Sequence, residues 1–258
     1  MIVDWDDASV DWSTFDAVVI RSTWNYHQQP DAFAEWIERV SAHTTLHNAA
    51  AIVRWNLDKR YLADVVAAGF PVIATTFVDN DAALDGTDLR GDIMVKPTVS
   101  AGSNDTARFT DAVDDARAHA KHILAARKVV MVQPYLSTID SYGETGLLYF
   151  NGQFSHAFRK GAIFATGDAH HNGLYVEEDI GERVAPAHER GLGDRVVAWV
   201  AERFGQMPLY ARVDVVSTSD STAEIMEIEL IEPSLFLHTE SGAADRFALV
   251  IGSLVSDR

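Results

Sequence analysis

Hydrophobic and polar positions along the chain follow two periods, which predict helices and strands in alternation. Near the amino terminus the apolar run AVVIR at 17–21 predicts a buried strand that ends in the polar loop RSTWNYHQQP. Pro30 and Asp31 then begin a helix. Its apolar residues recur at three- and four-residue spacing, namely Phe33, Trp36, Ile37 and Val40. We therefore expect a small α/β domain here, and its short length leaves open whether a first βα unit is missing.

The rest of the chain continues to mix the two periods, which favours an α/β fold built from α+β subdomains. The first part predicts strands over 71–73, 75–78, 92–97 and 129–132, and helices over 58–68 and 111–127. The second part predicts the hairpin 146–150 and 154–159, a helix over 187–204, closing strands over 209–215 and 225–231, and a terminal core helix over 247–255. The stretch GDAHHNG at 167–173 is predicted to be a mobile loop.

Composition and charge exclude several classes of protein. The chain has 258 residues, 47% hydrophobic and 23% charged, which is ordinary globular usage. Its net charge of −17 argues against a general nucleic-acid or anionic-membrane binder. Cysteine is absent, so disulfides, thiolate zinc sites and cysteine nucleophiles are excluded. Without an apolar run of about 18 residues or a signal-like start, we expect a soluble, cytoplasmic protein.

The two closing strands carry the clearest chemical pattern. Their period of two places Arg212 and Asp214 on one face of the first strand, opposite apolar neighbours. In the second strand Glu227 and Glu229 share a face, while Met226 and its alternate neighbours are expected to face the core. An antiparallel pairing would gather three carboxylates and a guanidinium, and Mg²⁺ with nucleotide phosphates is the best compensating charge. The alternative is an ordinary solvated face of the sheet.

Lysine is rare in this chain, which makes its positions informative. Only five of the 21 basic residues are lysine. Lys96 ends an apolar strand and is followed by a loop of small residues with Ser100, Gly102 and Ser103, whose backbone N–H groups suit a phosphate. No Walker pattern is present, and an ordinary surface turn is the alternative. Lys59 and Lys160 begin a helix and end a strand, and each alone is also explained as a solvated lysine.

Taken in order, these motifs resemble the ATP-grasp superfamily. They are N-L-D-K at Lys59, V-K-P with the small-residue loop at Lys96, V-Q-P-Y-L at 132–136, Glu144, Lys160, R-x-D at 212–214 and E-I-E-L-I-E-P at 227–233. The resemblance covers residues 50–245. It is closest to the branch with prokaryotic glutathione synthetase, ribosomal-protein glutamate ligase and the D-cycloserine-forming O-ureido-D-serine cyclo-ligase. Within that branch, RSTWNY and ELIEPSLFLHTESGA look most like the cyclo-ligase.

The resemblance implies an ATP-grasp fold that uses ATP and Mg²⁺, with two metal ions and Mn²⁺ as a substitute. It implies an amino-terminal domain over 1–50 and ATP-grasp subdomains over 51–132 and 133–258. The implied ATP contacts are Lys59, Lys96, Ser100, Gly102, Ser103, Gln133, Pro134, Tyr135, Leu136 and Glu144. The implied catalytic residues are Lys160 and Arg212, and the implied metal ligands are Asp214, Glu227 and Glu229. The superfamily commonly has asparagine at the last of these positions, which leaves the ligand set open.

The implied activity is an ATP-dependent carboxylate–amine ligase that forms an acyl phosphate on a small amino-acid-like substrate, with ring closure among the options. The substrate contacts would come from two loops, at Arg21, Ser22, Thr23 and Tyr26 and at His238 and Ser241. Arg21 suits a substrate carboxylate, and a surface loop arginine is its alternative. A kinase acting on a hydroxyl and a non-catalytic ATP-binding module remain as rival functions, and a homo-oligomer is left open.

Overall fold

The computed structural model describes residues 1–164 and 178–256 of the chain. Its helices are α1 (Pro30–His43), α2 (Ala50–Asn56), α3 (Tyr61–Ala67), α4 (Asp81–Asp85), α5 (Val113–Ala125), α6 (Thr138–Ser141), α7 (Ala187–Phe204) and α8 (Ala243–Ser256). Its strands are β1 (Ala17–Val19), β2 (Thr45–His47), β3 (Thr76–Val78), β4 (Asp92–Pro97), β5 (Ala107–Thr110), β6 (Val130–Pro134), β7 (Glu144–Phe150), β8 (Gln153–Lys160), β9 (Ile180–Arg183), β10 (Tyr210–Ser219) and β11 (Thr222–Glu229). The predicted loop at 167–173 lies outside the described residues.

The strands form three sheets. β1 and β2 pair in parallel, as a crossover through α1 requires. A four-stranded antiparallel sheet has the order β3-β6-β4-β5, and a five-stranded antiparallel sheet has the order β11-β10-β7-β8-β9. The fold is therefore the mixed α/β architecture that the sequence predicts. No helix within 1–164 or 178–256 is both long and apolar enough to cross a bilayer.

Each sheet is covered by helices that bury an apolar face. α4 and α5 pack on the four-stranded sheet, and α1 packs its predicted apolar face into an aromatic cluster with Trp5 and Trp12. One face of the five-stranded sheet is covered by α7 together with α2 and α3. α8 packs on the opposite face through Phe247. The division at residues 50 and 132 stays a prediction, and α2 and α3 share the core of the five-stranded sheet.

Most long elements lie where the sequence predicts them, and the differences are local. The residues at 71–73 form a single parallel bridge between Val72 and Ile225 instead of a strand. The short strands β2, β5 and β9 have no periodic signal of their own. The prediction that Met226 shares the core face of Ile228 is wrong, because the β10–β11 pairing shifts register between Asp214 and Val215, and Met226 packs instead against the small cluster around Ile139. This irregularity puts Ile225 in the core and leaves Met226 beside Glu227 on the opposite face.

Gly146 allows one tight contact in the five-stranded sheet. It lies opposite Asp214 in β10 and Phe158 in β8. A Cβ at this position would overlap the Phe158 ring. The guanidinium carbon of Arg212 lies 5.7 Å from the centroid of the same ring. Because glycine has no side chain, the Phe158 ring can occupy the space next to Gly146 and lie beside Arg212.

We predict that Gly146→Ala lowers the free energy of unfolding by about 1–3 kcal/mol, because the buried ring must move. Gly181→Ala is the matched control, since a Cβ there meets no atom within 4 Å. Denaturant unfolding of both variants checks the prediction. Equal stability of Gly146→Ala and the wild-type protein would contradict the packing described here.

Candidate active site

One cavity collects most of the residues that the sequence singles out. It lies where the four-stranded sheet, the small-residue loop and the five-stranded sheet meet. The predicted residues that line it are Tyr26, Lys59, Lys96, Ser100, Gly102, Ser103, Gln133, Pro134, Tyr135, Leu136, Glu144, Lys160, Arg212, Asp214, Glu227 and Glu229. The predicted residues that do not line it are Arg21, Ser22, Thr23, His238 and Ser241.

Arg212 is the buried charge at the centre of this cavity, with 6% of its surface exposed. Its Nε and Nη2 donate to Asp214 at 2.9 and 2.8 Å, and Nη2 also contacts Glu229. Nη1 donates to the carbonyl oxygen of Ser234 at 3.3 Å. Burial lowers the pKa of Arg212, but the two carboxylates outweigh it and raise the pKa above its ordinary value. The guanidinium is therefore permanently charged and held in a fixed orientation.

Lys59 joins β11 to the small-residue loop. Its Nζ lies 3.1 Å from Glu227 Oε1 and donates to the carbonyl oxygen of Ser100 at 3.0 Å. Its backbone N–H donates to the carbonyl of Thr98 at 2.9 Å. Burial raises the pKa of Glu227, yet the charges of Lys59 and Lys96 lower it below its ordinary value. Glu227 is therefore ionised, and the loop is fixed next to it.

The edge of β11 is held by side chains from α2 and α3. Asn56 donates to the carbonyl of Ile228 at 2.7 Å and accepts from the N–H of Leu230 at 2.8 Å. The Tyr61 hydroxyl donates to the same Ile228 carbonyl at 2.9 Å and accepts from the Ile228 N–H at 2.7 Å. These side chains act as the missing neighbour strand. They fix the backbone between Glu227 and Glu229, and with it both carboxylates.

Two further lysines face the same space. The register of β7 and β8 puts Glu144 opposite Lys160, and Lys160 Nζ lies 2.9 Å from Glu178 Oε1. Burial lowers the pKa of Lys160, but these carboxylates raise it above its ordinary value. Burial lowers the pKa of Lys96, which makes no ion pair within 4 Å among the described residues. Lys96 is therefore a cation available to an anionic ligand.

Residues 134–136, at the end of β6, have few backbone N–H groups that are free to bind a ligand. Pro134 has no N–H, and the N–H of Tyr135 donates to the carbonyl of Asp92 at 2.8 Å. The Arg108 guanidinium stacks 3.4 Å from the centre of the Tyr135 ring and so fixes it. Within the described chain, the amide of Leu136 is the donor of this segment that no hydrogen bond occupies.

The cavity also contains residues that the sequence interpretation missed, notably Glu178, Met226 and Glu232. Glu232 follows the end of β11, so the period of two that located Glu227 and Glu229 no longer applies to it. Burial raises the pKa of Glu232 to about 7. The sequence feature that could have identified Glu232 as a site residue is its position in the acidic run E-I-E-L-I-E-P.

The RSTWNYHQQP loop contributes aromatic residues to the cavity, but not the predicted Arg21. Tyr26 and the 43% exposed Trp24 line the cavity, whereas the Arg21 guanidinium lies over the rings of Tyr210 and Phe247, 5.5 and 5.9 Å from their centres. Burial lowers the pKa of Arg21, and its Nη1 is buried without a hydrogen bond. Its role in binding a substrate carboxylate stays a prediction.

The carboxylates of the hairpin fit a divalent cation by their chemistry. Among the described residues no three acidic or histidine side chains are oriented around one metal position. Asp214 and Glu229 instead contact the same nitrogen of Arg212, and Glu227 contacts Lys59. Burial, together with the charges of Asp214 and Glu227, raises the pKa of Glu229 to about 8. The cluster thus holds excess negative charge on hard oxygen donors, which suits Mg²⁺.

The chain is similar along nearly its whole length to proteins of D-cycloserine formation. Residues 1–48 match the family described as D-cycloserine synthetase DcsG, N-terminal domain. The cycloserine biosynthesis protein DcsG of Streptomyces lavendulae is 38% identical over 259 residues, 96% of this chain and 86% of that protein. The crystal structure of D-cycloserine synthetase DcsG matches with a TM-score of 0.89 and 36% identity, over 98% of this chain and 88% of that one.

A more distant match shows that the fold extends to other ligases. The structure of the ATP-grasp ligase PsnB, complexed with a minimal precursor, Mg and ADP, matches with a TM-score of 0.59 and 18% identity. The match covers 93% of this chain and 78% of that one. At this identity the likeness concerns the fold alone.

We predict that Tyr61→Phe lowers the free energy of unfolding by about 1–3 kcal/mol, because it leaves the buried N–H of Ile228 without its acceptor and removes one of the two donors to the Ile228 carbonyl. Tyr142→Phe is the control, since Tyr142 is 37% exposed and its stacking on Arg183 needs only the ring. Urea unfolding is the measurement, with a change of less than about 0.5 kcal/mol expected for the control. Equal effects of the two substitutions would show that the hydroxyl does not hold β11.

Proposed function

Because this chain belongs to the family of DcsG within the ATP-grasp superfamily and is an ATP-dependent ligase, we propose that it closes a ring on a small amino-acid-like substrate. The observation that carries the proposal is the 38% identity to DcsG over 96% of the chain. The cavity supports it, because cations for phosphate and carboxylates for a metal line the same space. The ligase uses ATP and Mg²⁺, as ATP-grasp ligases do.

The nucleotide would lie between the two larger sheets. Lys59, Lys96 and Lys160 would contact its phosphates, with the backbone of the small-residue loop at Ser100, Gly102 and Ser103 beside them. The adenine would lie at residues 133–136, where the Leu136 amide is the open donor. Glu144 would accept the ribose hydroxyls. The ammonium of Lys96 has no ion-pair partner within 4 Å in the described chain. In this arrangement it would form ion pairs with the β- and γ-phosphates.

The chemistry would run in two steps. A substrate carboxylate oxygen attacks the γ-phosphorus, the bond to the β-phosphate oxygen breaks, and ADP leaves. A substrate nitrogen then attacks the acyl carbon, phosphate leaves with that carboxylate oxygen, and the proton that the nitrogen loses passes to the departing phosphate. Arg212 and Lys160 would neutralise the charge on the transferring phosphoryl group, and their ion pairs hold both side chains in place beforehand.

The metal would be held by Asp214, Glu227 and Glu229. We propose two ions, with Mn²⁺ able to replace Mg²⁺. When bound, the ions neutralise phosphate charge. This requires Asp214 and Glu229 to exchange part of their contact with Arg212, and Glu227 part of its contact with Lys59. The substrate to be phosphorylated would bind in the part of the cavity lined by Tyr26. The other predicted substrate residues do not line the cavity, so they would influence the substrate only through the residues that do; they are Ser22, Thr23, His238 and Ser241.

The direct test of the proposed function is ADP release with O-ureido-D-serine as substrate. We expect ADP release that depends on this compound, with ring closure by the nitrogen bonded to the side-chain oxygen. Hydrolysis of the carbamoyl group to carbon dioxide and ammonia then leaves D-cycloserine, detected by mass spectrometry. A ureido compound without a carboxylate is the control and should release no ADP. ADP release without a cyclic product would overturn ring closure, and no ADP release with any amino acid or O-substituted serine would overturn the proposal.

We predict that nucleotide binding depends on the divalent cation. Calorimetry with a non-hydrolysable ATP analogue should show an affinity at least about tenfold higher with Mg²⁺ or Mn²⁺ than with excess chelator, because unscreened carboxylates repel the phosphates. Titration of Mn²⁺ at saturating nucleotide should end at two ions per chain. Equal affinity with and without chelator would contradict the metal assignment.

We predict that Lys96→Met lowers turnover by about 10²–10³-fold, because a cation that would bind the phosphates is lost from a partly buried site. The melting temperature should stay equal or rise, since burial already disfavours the charged form of Lys96. Lys121→Met, at an exposed position of α5, is the control and should keep full activity. Steady-state ADP release and thermal unfolding measure both effects. Near-full activity of Lys96→Met would contradict the assignment of Lys96 as a phosphate-binding residue.

A further inference from the structure

Glu232 differs from the carboxylates beside it in having no cation partner within residues 1–164 and 178–256. Asp214 and Glu229 contact Arg212, and Glu227 contacts Lys59. Glu232 lines the same cavity, yet no hydrogen bond or ion pair within 4 Å reaches its carboxylate from the described residues. It follows β11 and precedes Pro233, so it lies outside the paired part of the hairpin.

The cations near Glu232 do not form an ion pair with it among the described residues. The cations with the largest influence on it are Lys59, Arg21 and Arg212. Lys59 and Arg212 make their ion pairs with other carboxylates, and Arg21 lies over aromatic rings. A partly buried carboxylate without a partner costs free energy. A ligand that brings a cation to Glu232 would therefore bind more tightly than the same ligand without it.

We propose that Glu232 binds the ammonium group of an α-amino acid substrate and so selects amino acids over the corresponding acids that lack the amino group. The proposal rests on the proposed function, because it assigns the other end of the substrate whose carboxylate is phosphorylated. Arg212 donates to the carbonyl of Ser234, two residues after Glu232. The cation for the transferring phosphoryl group and the anion for the ammonium are thus linked through one short segment.

The charge of the cavity favours an ammonium at Glu232 over a phosphate or a neutral hydroxyl. ATP is anionic, so its phosphates would be repelled by Glu232 and attracted to Lys96. A neutral hydroxyl would give a hydrogen bond but would leave the carboxylate charge uncompensated. An ammonium supplies both a charge and donors, and a charge-assisted hydrogen bond is about twice as strong as a neutral one.

The test compares two substrates in two proteins. Wild-type protein and Glu232→Gln are assayed for ADP release with O-ureido-D-serine and with 3-(ureidooxy)propanoic acid, which lacks the amino group. Glutamine keeps the shape and removes the charge. We expect Glu232→Gln to raise KM for the amino compound by about 10- to 100-fold, to change kcat little, and to leave KM for the second compound within about threefold. Glu202→Gln, at an exposed position of α7, is the control and should change neither value.

The outcomes separate this proposal from the proposed function. Equal effects on both compounds, or a loss of kcat alone, would overturn the role of Glu232 while the ligase assignment stands. If wild-type protein turns over neither compound, ring closure on this substrate fails. Glu232 is then tested by calorimetry of D-serine and 3-hydroxypropanoate on the ADP-loaded protein. A preference for D-serine that disappears in Glu232→Gln would support the proposal, and no preference would overturn it.

Discussion

The ion pair between Arg212 and Asp214, which Glu229 joins, is the interaction on which the site depends. Arg212 and Asp214 are both nearly buried, and a single unpaired charge at that depth costs several kcal/mol. Each group is therefore tolerated only because the others are present. The pairing also fixes orientation, because the guanidinium is bound at Nε, Nη1 and Nη2. The guanidinium is thus held in place before any ligand binds.

The same strands connect the site to the stability of the molecule. The Asn48 amide donates to the carbonyls of Tyr210 and Leu230 and accepts from the N–H of Leu209. The Tyr210 hydroxyl shares its one proton between the carbonyls of Ile20 and Ile231. These bonds join the amino-terminal residues to both strands of the acidic hairpin. The ends of β10 and β11 are therefore held from outside the sheet. A loss of these buried bonds is expected to affect folding and metal binding together.

The sequence predicts the parts of the site that follow regular periods. Alternation in β10 puts Arg212 and Asp214 on the ligand face, because nothing interrupts that strand between them. Alternation fails at Met226, where the register shift turns the side chain into the cavity. Glu232 lies past the strand, where no period applies, and the shape of the following turn alone brings it to the cavity. Short strands such as β5 are set by pairing with a distant partner, which a local pattern does not encode.

In the proposed reaction a substrate carboxylate is phosphorylated and its carbon is then attacked by nitrogen. The most direct test labels that carboxylate with ¹⁸O and follows the label during turnover. We expect one labelled oxygen in the released phosphate, whether the nitrogen belongs to the same molecule or to another one. An internal nitrogen can capture the acyl group before a trapping reagent does, so the label is a more reliable readout than trapping. Unlabelled phosphate, or phosphate retained on a hydroxyl of the product, would contradict the account.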